Sequence, residues 1–138
     1  MIIASAERKR VRSLGEHLTP SGVFNEFILP KIKPRVNEYT WVDLFAGEGN
    51  LILPILDTIP ADDRPEFFSR HIYMFDLQEK MVKKCIQNAI SYGIPEKLAE
   101  SNILAKDTLD EFPDILRRTA NPVFHITNPP YLLLFVYL

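Results

Sequence analysis

The most specific chemical pattern in the chain is Asn128-Pro129-Pro130-Tyr131, which follows a strand-like apolar run. Proline fixes φ and removes a backbone donor, and Pro129 also keeps Asn128 out of the α region. The loop is therefore predicted to be stiff, with backbone oxygens that regular structure does not use. The Asn128 side-chain oxygen and the Pro129 carbonyl could accept both hydrogens of a planar amino group, and Tyr131 could stack on the attached aromatic ring. A plain X-Pro-Pro turn with a surface tyrosine explains the same residues.

A glycine turn in the stretch "DLFAGEGN" forms the second pattern. Gly47 and Gly49 permit positive φ and leave no Cβ between the backbone and a ligand. The stretch lacks the third glycine of a dinucleotide fingerprint and the lysine of a phosphate loop. Asp43 would repel a pyrophosphate, so a ligand with an α-amino group and a sulfonium fits better. A tight strand-to-helix turn is the structural alternative.

Two further aspartates follow apolar runs. Asp76 in "YMFDLQ" could accept the hydroxyls of a ribose or cap the next helix, and a carboxylate has acceptor sites for both. Asp107 in "LAKDTLDEF" could accept a hydrogen bond from an adenine amino group. It could equally cap the following helix, and Asp110 is a rival for either role.

Strands must bring these residues together, and four stretches predict them: "YTWVDLFAG", "HIYMFDL", "ESNILAKD" and "PVFHIT". Between them, strands alternate with predicted helices, which favours parallel pairing in a layered α/β sheet. Ligands of such sheets bind beyond the carboxyl ends of the strands. Each chemical pattern above lies at the carboxyl end of a predicted strand.

Helices are predicted in "SGVFNEFILPKIKP", "NLILPILDTI", "QEKMVKKCIQNAISYG" and "LDEFPDILRR". The first should break at Pro30 and Pro34, and the second tolerates Pro54 only in its first turn. Gly93 is a good C-terminal cap for the third. The stretch "PADDRPEFFSR" is predicted to be a loop.

Composition limits the classes of protein. A chain of 138 residues fits one domain, and its net charge of -2 lacks the positive excess of a self-sufficient nucleic-acid binder. The single cysteine, Cys85, excludes an internal disulfide and a zinc site built on paired cysteines, so no metal site is predicted. Its helical spacing predicts a small core residue. Without a signal peptide or an apolar run of membrane-spanning length, we expect a cytoplasmic protein with no membrane partner.

In this order, "DLFAGEGN", "FDL", "KD" and "NPPY" resemble the motifs of the S-adenosylmethionine-dependent adenine-specific DNA methyltransferases of the amino-methylating class. "HLTPSGVFNEFIL" resembles the additional cofactor motif of that family, which begins with Thr-Pro. The resemblance runs from about His17 to Tyr131. It implies a partial Rossmann-like methyltransferase fold, with about four parallel strands ordered 3-2-1-4 and flanked by helices. Residues 1–36 would form an N-terminal helical segment, and residues 37–138 the partial cofactor-binding domain.

The resemblance also implies roles for individual residues. The glycine turn and the Thr-Pro motif would bind the methionine part of the cofactor, and the next two strand ends its nucleoside. Asp76 would hold the ribose hydroxyls, Leu77 would pack on the adenine, and Asp107 would meet the adenine amino group. The implied cofactor-binding residues are Thr19, Asp43, Ala46, Gly47, Gly49, Asp76, Leu77 and Asp107. Many family members have glutamate where this chain has Asp76, which is shorter.

The implied reaction is methyl transfer from S-adenosylmethionine to the exocyclic amino group of adenine in DNA, as in restriction-modification systems. Asn128 and Pro129 would grip the target amine, and Tyr131 would stack on the flipped base, which has to leave the duplex. A methyltransferase for RNA or for a protein glutamine is an alternative, which the Thr19-Pro20 segment disfavours. A non-catalytic interaction module or inactive fragment is another.

The sequence continues beyond the "NPPY" stretch only with "LLLFVYL", whereas the catalytic domains of the family continue with further strands. We therefore expect the N-terminal part of a longer or split methyltransferase, or a truncated remnant, whose fourth strand is an exposed edge. Its partner would be a missing C-terminal region, a second subunit or a second copy bound through the apolar tail. The tail could instead fold back as a substitute strand.

Overall fold

Four short strands form one parallel sheet in the computed structural model, which describes residues 21–128. The strands are β1 (Thr40–Asp43), β2 (Ile72–Asp76), β3 (Ile103–Ala105) and β4 (Val123–His125). Their order across the sheet is β3-β2-β1-β4, and all three neighbouring pairs are parallel. The predicted fold, a partial Rossmann-like α/β sheet ordered 3-2-1-4 and flanked by helices, is confirmed.

β1 is the inner strand on which the candidate site depends. All four of its residues are buried, as expected for a parallel strand that has neighbours on both sides. Trp41 is paired with Ile72 on one side and with Phe124 on the other. This register brings the carboxyl ends of β1, β2 and β4 to the same edge of the sheet.

Three α-helices lie in the connections between the first three strands. They are α1 (Arg64–His71), which precedes β2, and α2 (Glu79–Ser91) and α3 (Glu96–Asn102), which lie between β2 and β3. α2 is amphipathic and buries Met81, Val82, Cys85 and Ala89. Cys85 is fully buried, which confirms its prediction as a core residue. After α2 the chain turns at Gly93, whose φ of 96° belongs to the left-handed region that favours glycine.

Two of these helices were not predicted. The stretch interpreted as a loop contains α1, because Pro65 lies in the first turn of the helix, where a missing N–H costs nothing. Phe67 and Phe68 of α1 are buried. The strand predicted from Glu100 begins only at Ile103, and the residues before it belong to α3. Only two residues of α3, Ala99 and Asn102, are buried, so its apolar periodicity is weak.

The remaining helical segments are short. The N-terminal helical segment runs through Ser21–Val23, Phe24–Ile28, Leu29–Ile32 and Lys33–Glu38. The helix continues through Pro30, which lies in a first turn where the helix type changes. The predicted break at Pro34 is present as a kink at the next residue, Arg35, whose φ of -123° and ψ of 15° are not helical. Further 3-10 helices span Leu53–Thr58, Ala61–Asp63 and Asp114–Arg118. Pro54 lies in a first turn, as its prediction required.

The two faces of the sheet are covered unequally. One face carries the main core, which includes Trp41, Met74 and Ile126 and also Phe24 and Val36 of the N-terminal helical segment. The other face has a smaller cluster, formed by Val42, Phe75 and Leu116. Among residues 21–128, no helix has the length and apolar character required to cross a membrane.

Candidate active site

The predicted site residues that the structure describes lie at the carboxyl edge of the sheet. Asp43 and Asp76 are the last residues of β1 and β2. Asp107 follows β3 by two residues, and Asn128 follows β4 by three. Thr19, Pro129 and Tyr131, together with the apolar tail at 132–138, lie outside the described residues.

Three hydrogen bonds join the end of β1 and the loop after it to the carboxyl ends of the other three strands. The Gly47 N–H donates to Asp76 Oδ2 over 2.9 Å. The Thr108 hydroxyl donates to the Leu44 carbonyl over 3.0 Å. The Thr127 hydroxyl donates to Asp43 Oδ1 over 2.7 Å. The ends of all four strands are therefore fixed to one another around the loop after β1.

Asp43 is the electrostatic centre of this arrangement. Its side chain is buried, with the residue only 1 % exposed, and Oδ1 accepts hydrogen bonds from the Phe45 N–H at 2.9 Å and from Thr127. Oδ2 is also buried and has no hydrogen-bond partner in the described part of the chain. Burial raises the pKa of Asp43 from 3.8 to about 7; the two donors oppose this shift, and the nearby charge of Asp76 adds to it.

The burial of Asp43 Oδ2 without a hydrogen-bond partner among residues 21–128 costs free energy of folding. A buried polar atom without a partner costs about 1–3 kcal/mol, and more when it is charged. A cation that reached Oδ2 would remove this cost and would favour the ionised carboxylate. Since Oδ2 is sealed from solvent, such a ligand could reach it only after the chain that covers it moved aside.

The glycine turn directs its amides into the protein. Gly47 and Gly49 have φ of 54° and 90°, as predicted. The N–H groups of Phe45 and Gly47 donate to the carboxylates of Asp43 and Asp76. Those of Ala46 and Gly49 donate to the carbonyls of Phe75 and Ala46, at 2.7 and 2.9 Å. These four amides are thus unavailable to a phosphate, which agrees with the absence of a phosphate-loop motif in the sequence.

The reason for glycine at position 49 differs from the prediction. A Cβ on Gly49 would lie 2.7 Å from Leu53 Cδ1 and 2.9 Å from Cys85 Sγ. The space that this glycine leaves therefore faces the core and not a ligand. Gly49 allows the turn to pack closely on α2, and only its backbone could contact a cofactor.

Asp76 is held in a fixed orientation by two backbone donors. Oδ2 accepts the Gly47 N–H and Oδ1 accepts the Gln78 N–H, both at 2.9 Å. The second bond closes a local turn before α2, which begins at Glu79. Leu77, between these residues, is 56 % exposed and offers an apolar surface beside the carboxylate.

Asp107 stabilises a turn. Its Oδ1 accepts the N–H groups of Leu109 and Asp110 at 3.1 and 3.3 Å. Neither Asp107 nor Asp110 has the capping role considered above, because the following helix begins only at Asp114 and its N-cap residue is Pro113. In the part of the chain that the structure describes, no group of three or more histidine, cysteine, aspartate or glutamate side chains could hold a metal ion.

The sequence interpretation missed three polar residues that organise the site. Thr108 and Thr127 make the cross-links described above, and Asn88 of α2 donates to the Glu48 carbonyl of the glycine turn at 2.9 Å. The signal available for the threonines was a hydroxyl residue directly after Asp107 and directly before Asn128. Nothing in the local sequence of α2 distinguishes Asn88 from a solvent-exposed residue.

Fold and site together define a Rossmann-like α/β chain with an acidic, hydrogen-bonded centre at the carboxyl edge of its sheet. Comparison with known proteins finds no matching family model, and neither the curated proteins nor the solved structures yield a significant match.

Proposed function

We propose that this chain carries the cofactor-binding and catalytic portion of an S-adenosylmethionine-dependent methyltransferase that modifies the exocyclic amino group of adenine in DNA. The observation that supports it most is the joining of all four strand ends around Asp43, a buried carboxylate with one oxygen that lacks a partner among residues 21–128. The order of the motifs in the sequence supplies the reaction. Because of its single cysteine, the cytoplasm is the compartment that we propose.

The charge of the site favours this cofactor over a nucleotide phosphate. S-adenosylmethionine carries a sulfonium and an α-ammonium group, and two neighbouring carboxylates, Asp43 and Asp76, would stabilise positive charge. The inward-facing amides of the glycine turn would not stabilise a pyrophosphate. In this proposal Asp43 and the backbone of the glycine turn bind the methionine part. Asp76 binds the ribose hydroxyls, Leu77 contacts the adenine, and Asp107 contacts its amino group.

When bound, the cofactor supplies an electrophilic methyl group. The chain has to orient the target amine, whose lone pair is delocalised into the adenine ring. The Asn128 side-chain oxygen and the Pro129 carbonyl would accept hydrogen bonds from the two amine hydrogens, which would favour a tetrahedral nitrogen with an available lone pair. Their dipoles and the ring of Tyr131 would stabilise the positive charge that develops on nitrogen as the methyl group leaves the sulfur. The methylated nitrogen would then lose its surplus proton to water, so no strong base is required.

Calorimetric titration tests the cofactor part of the proposal. At about pH 8, where Asp43 is ionised, we expect S-adenosylmethionine to bind, with an affinity about 10- to 100-fold higher than that of Asp43→Asn. Asp110→Asn removes an exposed carboxylate from the same edge and should bind like the unsubstituted chain. Absence of binding at millimolar ligand would remove the core of the proposal.

The titration also has a pH signature. A proton on Asp43 competes with a cation, so cofactor affinity should fall about fivefold from pH 7 to pH 6. The affinity of Asp43→Asn should change much less over the same range. A pH-independent affinity of the unsubstituted chain would show that the ligand does not use Asp43.

Transfer of a labelled methyl group identifies the substrate. Incubation of the chain and labelled S-adenosylmethionine with DNA, RNA and protein should label DNA at adenine, and Asn128→Ala should abolish the label. Label in RNA or protein alone would reject DNA in favour of the alternative methyltransferases. Cofactor binding without any transfer would contradict the enzymatic proposal.

A second candidate, a non-catalytic interaction module, is favoured by the outer edge of the sheet. Within the described residues β4 has β1 as its one neighbour, and Phe124 is 42 % exposed. An unpaired strand edge with apolar side chains is a site for association with another polypeptide. Asn128→Ala separates the candidates, because it should abolish methyl transfer but leave an association through β4 unchanged.

A further inference from the structure

Thr127 makes the contact between the two halves of the proposed site. Thr127 is an exposed residue, yet its hydroxyl donates to Asp43 Oδ1 over 2.7 Å. The two residues are 84 positions apart in the sequence. A hydrogen bond from a hydroxyl to an ionised carboxylate is short and strong compared with a bond between neutral groups. The contact joins the carboxyl end of β1 to the residue that directly precedes Asn128.

The position of Thr127 in the sheet gives this contact its importance. The Ile126 N–H donates to the Val42 carbonyl at 2.9 Å and extends the pairing of β4 with β1 by one residue. At Thr127 the link to β1 passes from the backbone to a side chain. The hydroxyl of Thr127 therefore fixes the chain to the end of β1 at the residue directly before Asn128.

We propose that Thr127 is a positioning residue, whose hydroxyl on the buried carboxylate of Asp43 sets where Asn128 lies relative to the loop after β1. The inference rests on the proposed function, in which Asp43 binds the cofactor and Asn128 binds the target amine. Thr127 contacts neither ligand in this account. It acts through Asp43 on one side and through its peptide bond to Asn128 on the other.

The contact also couples the two ligands. A cationic group that binds Asp43 favours the ionised carboxylate, and the ionised carboxylate strengthens the bond from Thr127. Cofactor binding would thus fix Asn128 more firmly, and by thermodynamic reciprocity a bound target base would raise cofactor affinity. Within residues 21–128, the other titratable groups that interact with Asp43 are Asp76 at the end of β2 and Cys85 on α2.

Three variants test the proposal. Thr127→Val removes the hydroxyl with little change in shape, and Thr127→Ser retains it. Thr119→Val is the matched control, because the Thr119 hydroxyl lies within hydrogen-bond distance of the carbonyls of Leu116 and Asn121, away from Asp43. Since Thr127 is exposed, the variants should fold like the unsubstituted chain.

The first readout is the titration of the Asp43 carboxyl carbon, followed by NMR. Because the bond from Thr127 lowers the pKa of Asp43, the midpoint should lie above about 7 in Thr127→Val and return toward that value in Thr127→Ser. Thr119→Val should leave it unchanged. An unchanged midpoint in Thr127→Val would overturn the proposal, because the contact would then be absent in solution.

The second readout separates positioning from cofactor binding. We expect Thr127→Val to lower kcat for methyl transfer at least about tenfold, while cofactor affinity at about pH 8 changes less than about threefold. Thr127→Ser should retain most of the activity. Transfer by Thr127→Val at the rate of the unsubstituted chain, or failure of Thr127→Ser to restore it, would reject Thr127 alone and leave the proposed function intact. If the unsubstituted chain neither bound S-adenosylmethionine nor transferred methyl groups, the proposed function would fail and the positioning role with it.

Discussion

The two ends of the sheet differ in the charge of their buried polar groups. At the amino end, the Asn102 side-chain amide lies within hydrogen-bond distance of the carbonyls of Phe68, Ser69 and Ile72, at 3.2, 3.4 and 3.0 Å. At the carboxyl end, Asp43 has two donors on one oxygen and, among residues 21–128, none on the other. Both side chains are buried, so burial alone does not account for the difference.

The amino end also has a cleft of about 450 Å³, which is lined by residues that include Val36, Phe67 and His71. One ring nitrogen of His71 is engaged with the Tyr39 carbonyl at 2.7 Å, and Arg70 on the wall pairs with Glu66 at 3.0 Å. Neither end has all of its buried polar atoms satisfied, because Thr40 Oγ1 at the amino end also has no hydrogen-bond partner among residues 21–128. The Thr40 hydroxyl is neutral, whereas Asp43 has an ionisable carboxyl group. The comparison therefore teaches that a cationic ligand would contribute free energy at the carboxyl end.

The first prediction concerns pH. The pKa of Asp43 is higher in the folded chain, at about 7, than in the unfolded chain, so the folded state binds the extra proton between about pH 4 and pH 7. The free energy of unfolding should therefore fall as pH rises through this range, by up to roughly 4 kcal/mol from Asp43. Urea unfolding at a series of pH values measures it.

Asp43→Asn provides the control for this prediction. The amide cannot ionise, so the difference in unfolding free energy between the variant and the unsubstituted chain should grow in favour of the variant up to about pH 7 and then level off. A constant difference would contradict it. In that case the pKa of Asp43 would not be raised in the folded chain, and a further interaction would have to stabilise its ionised form.

The second prediction compares a glycine at each end of the sheet. Gly49→Ala should destabilise the chain by about 3 kcal/mol, because it combines left-handed strain with close contacts to Leu53 and Cys85. Gly93→Ala, in the loop after α2, has the same kind of φ but no atom within 4 Å of the added Cβ. It should cost only about 1 kcal/mol. Equal costs in urea unfolding would mean that the glycine turn yields to the added methyl group.

The third prediction tests the amino end directly. Asn102→Ala removes the donors from carbonyls at the end of α1 and the start of β2, and should lower the free energy of unfolding by about 2 kcal/mol. Asn37→Ala, at an exposed position of the same end, should have little effect. Cofactor affinity in Asn102→Ala should be unchanged. A loss of cofactor affinity without a loss of stability would mean that the amino end of the sheet, and not the carboxyl end, contributes to cofactor binding.

Much of the framework was predictable from sequence because it depends on local patterns. The run from Thr40 to Asp43 is apolar except at its ends, and the spacing of Met81, Val82 and Cys85 defines the buried side of α2. The secondary-structure prediction was wrong where a residue type is compatible with two kinds of local structure. Pro65 was interpreted as part of a loop although proline is also well suited to a first helical turn.

The polar connections of the site could not be predicted in the same way. The contact between Thr127 and Asp43 depends on the register of β4 against β1, and many residues separate the two strands in sequence. Whether Gly49 faces a ligand or the core depends on where α2 packs. The sequence could therefore place carboxylates at strand ends, but it could not indicate which of their oxygens are satisfied.

The smallest predicted effect distinguishes two connections between α2 and the glycine turn at the carboxyl end. The Asn88 amide donates to the Glu48 carbonyl at 2.9 Å, and Lys84 Nζ lies 3.5 Å from Glu48 Oε1 with its side chain 57 % exposed. Asn88→Ala should cost about 1 kcal/mol in urea unfolding, since a partly buried carbonyl loses its donor. Lys84→Met should cost less than about 0.5 kcal/mol, because water and salt screen an exposed ion pair. Added salt should reduce the effect of Lys84→Met and leave that of Asn88→Ala unchanged. The reverse pattern would mean that a surface ion pair stabilises the glycine turn more than the hydrogen bond from Asn88 does. Buried hydrogen bonds would then not be the main interactions that fix the carboxyl end of the sheet.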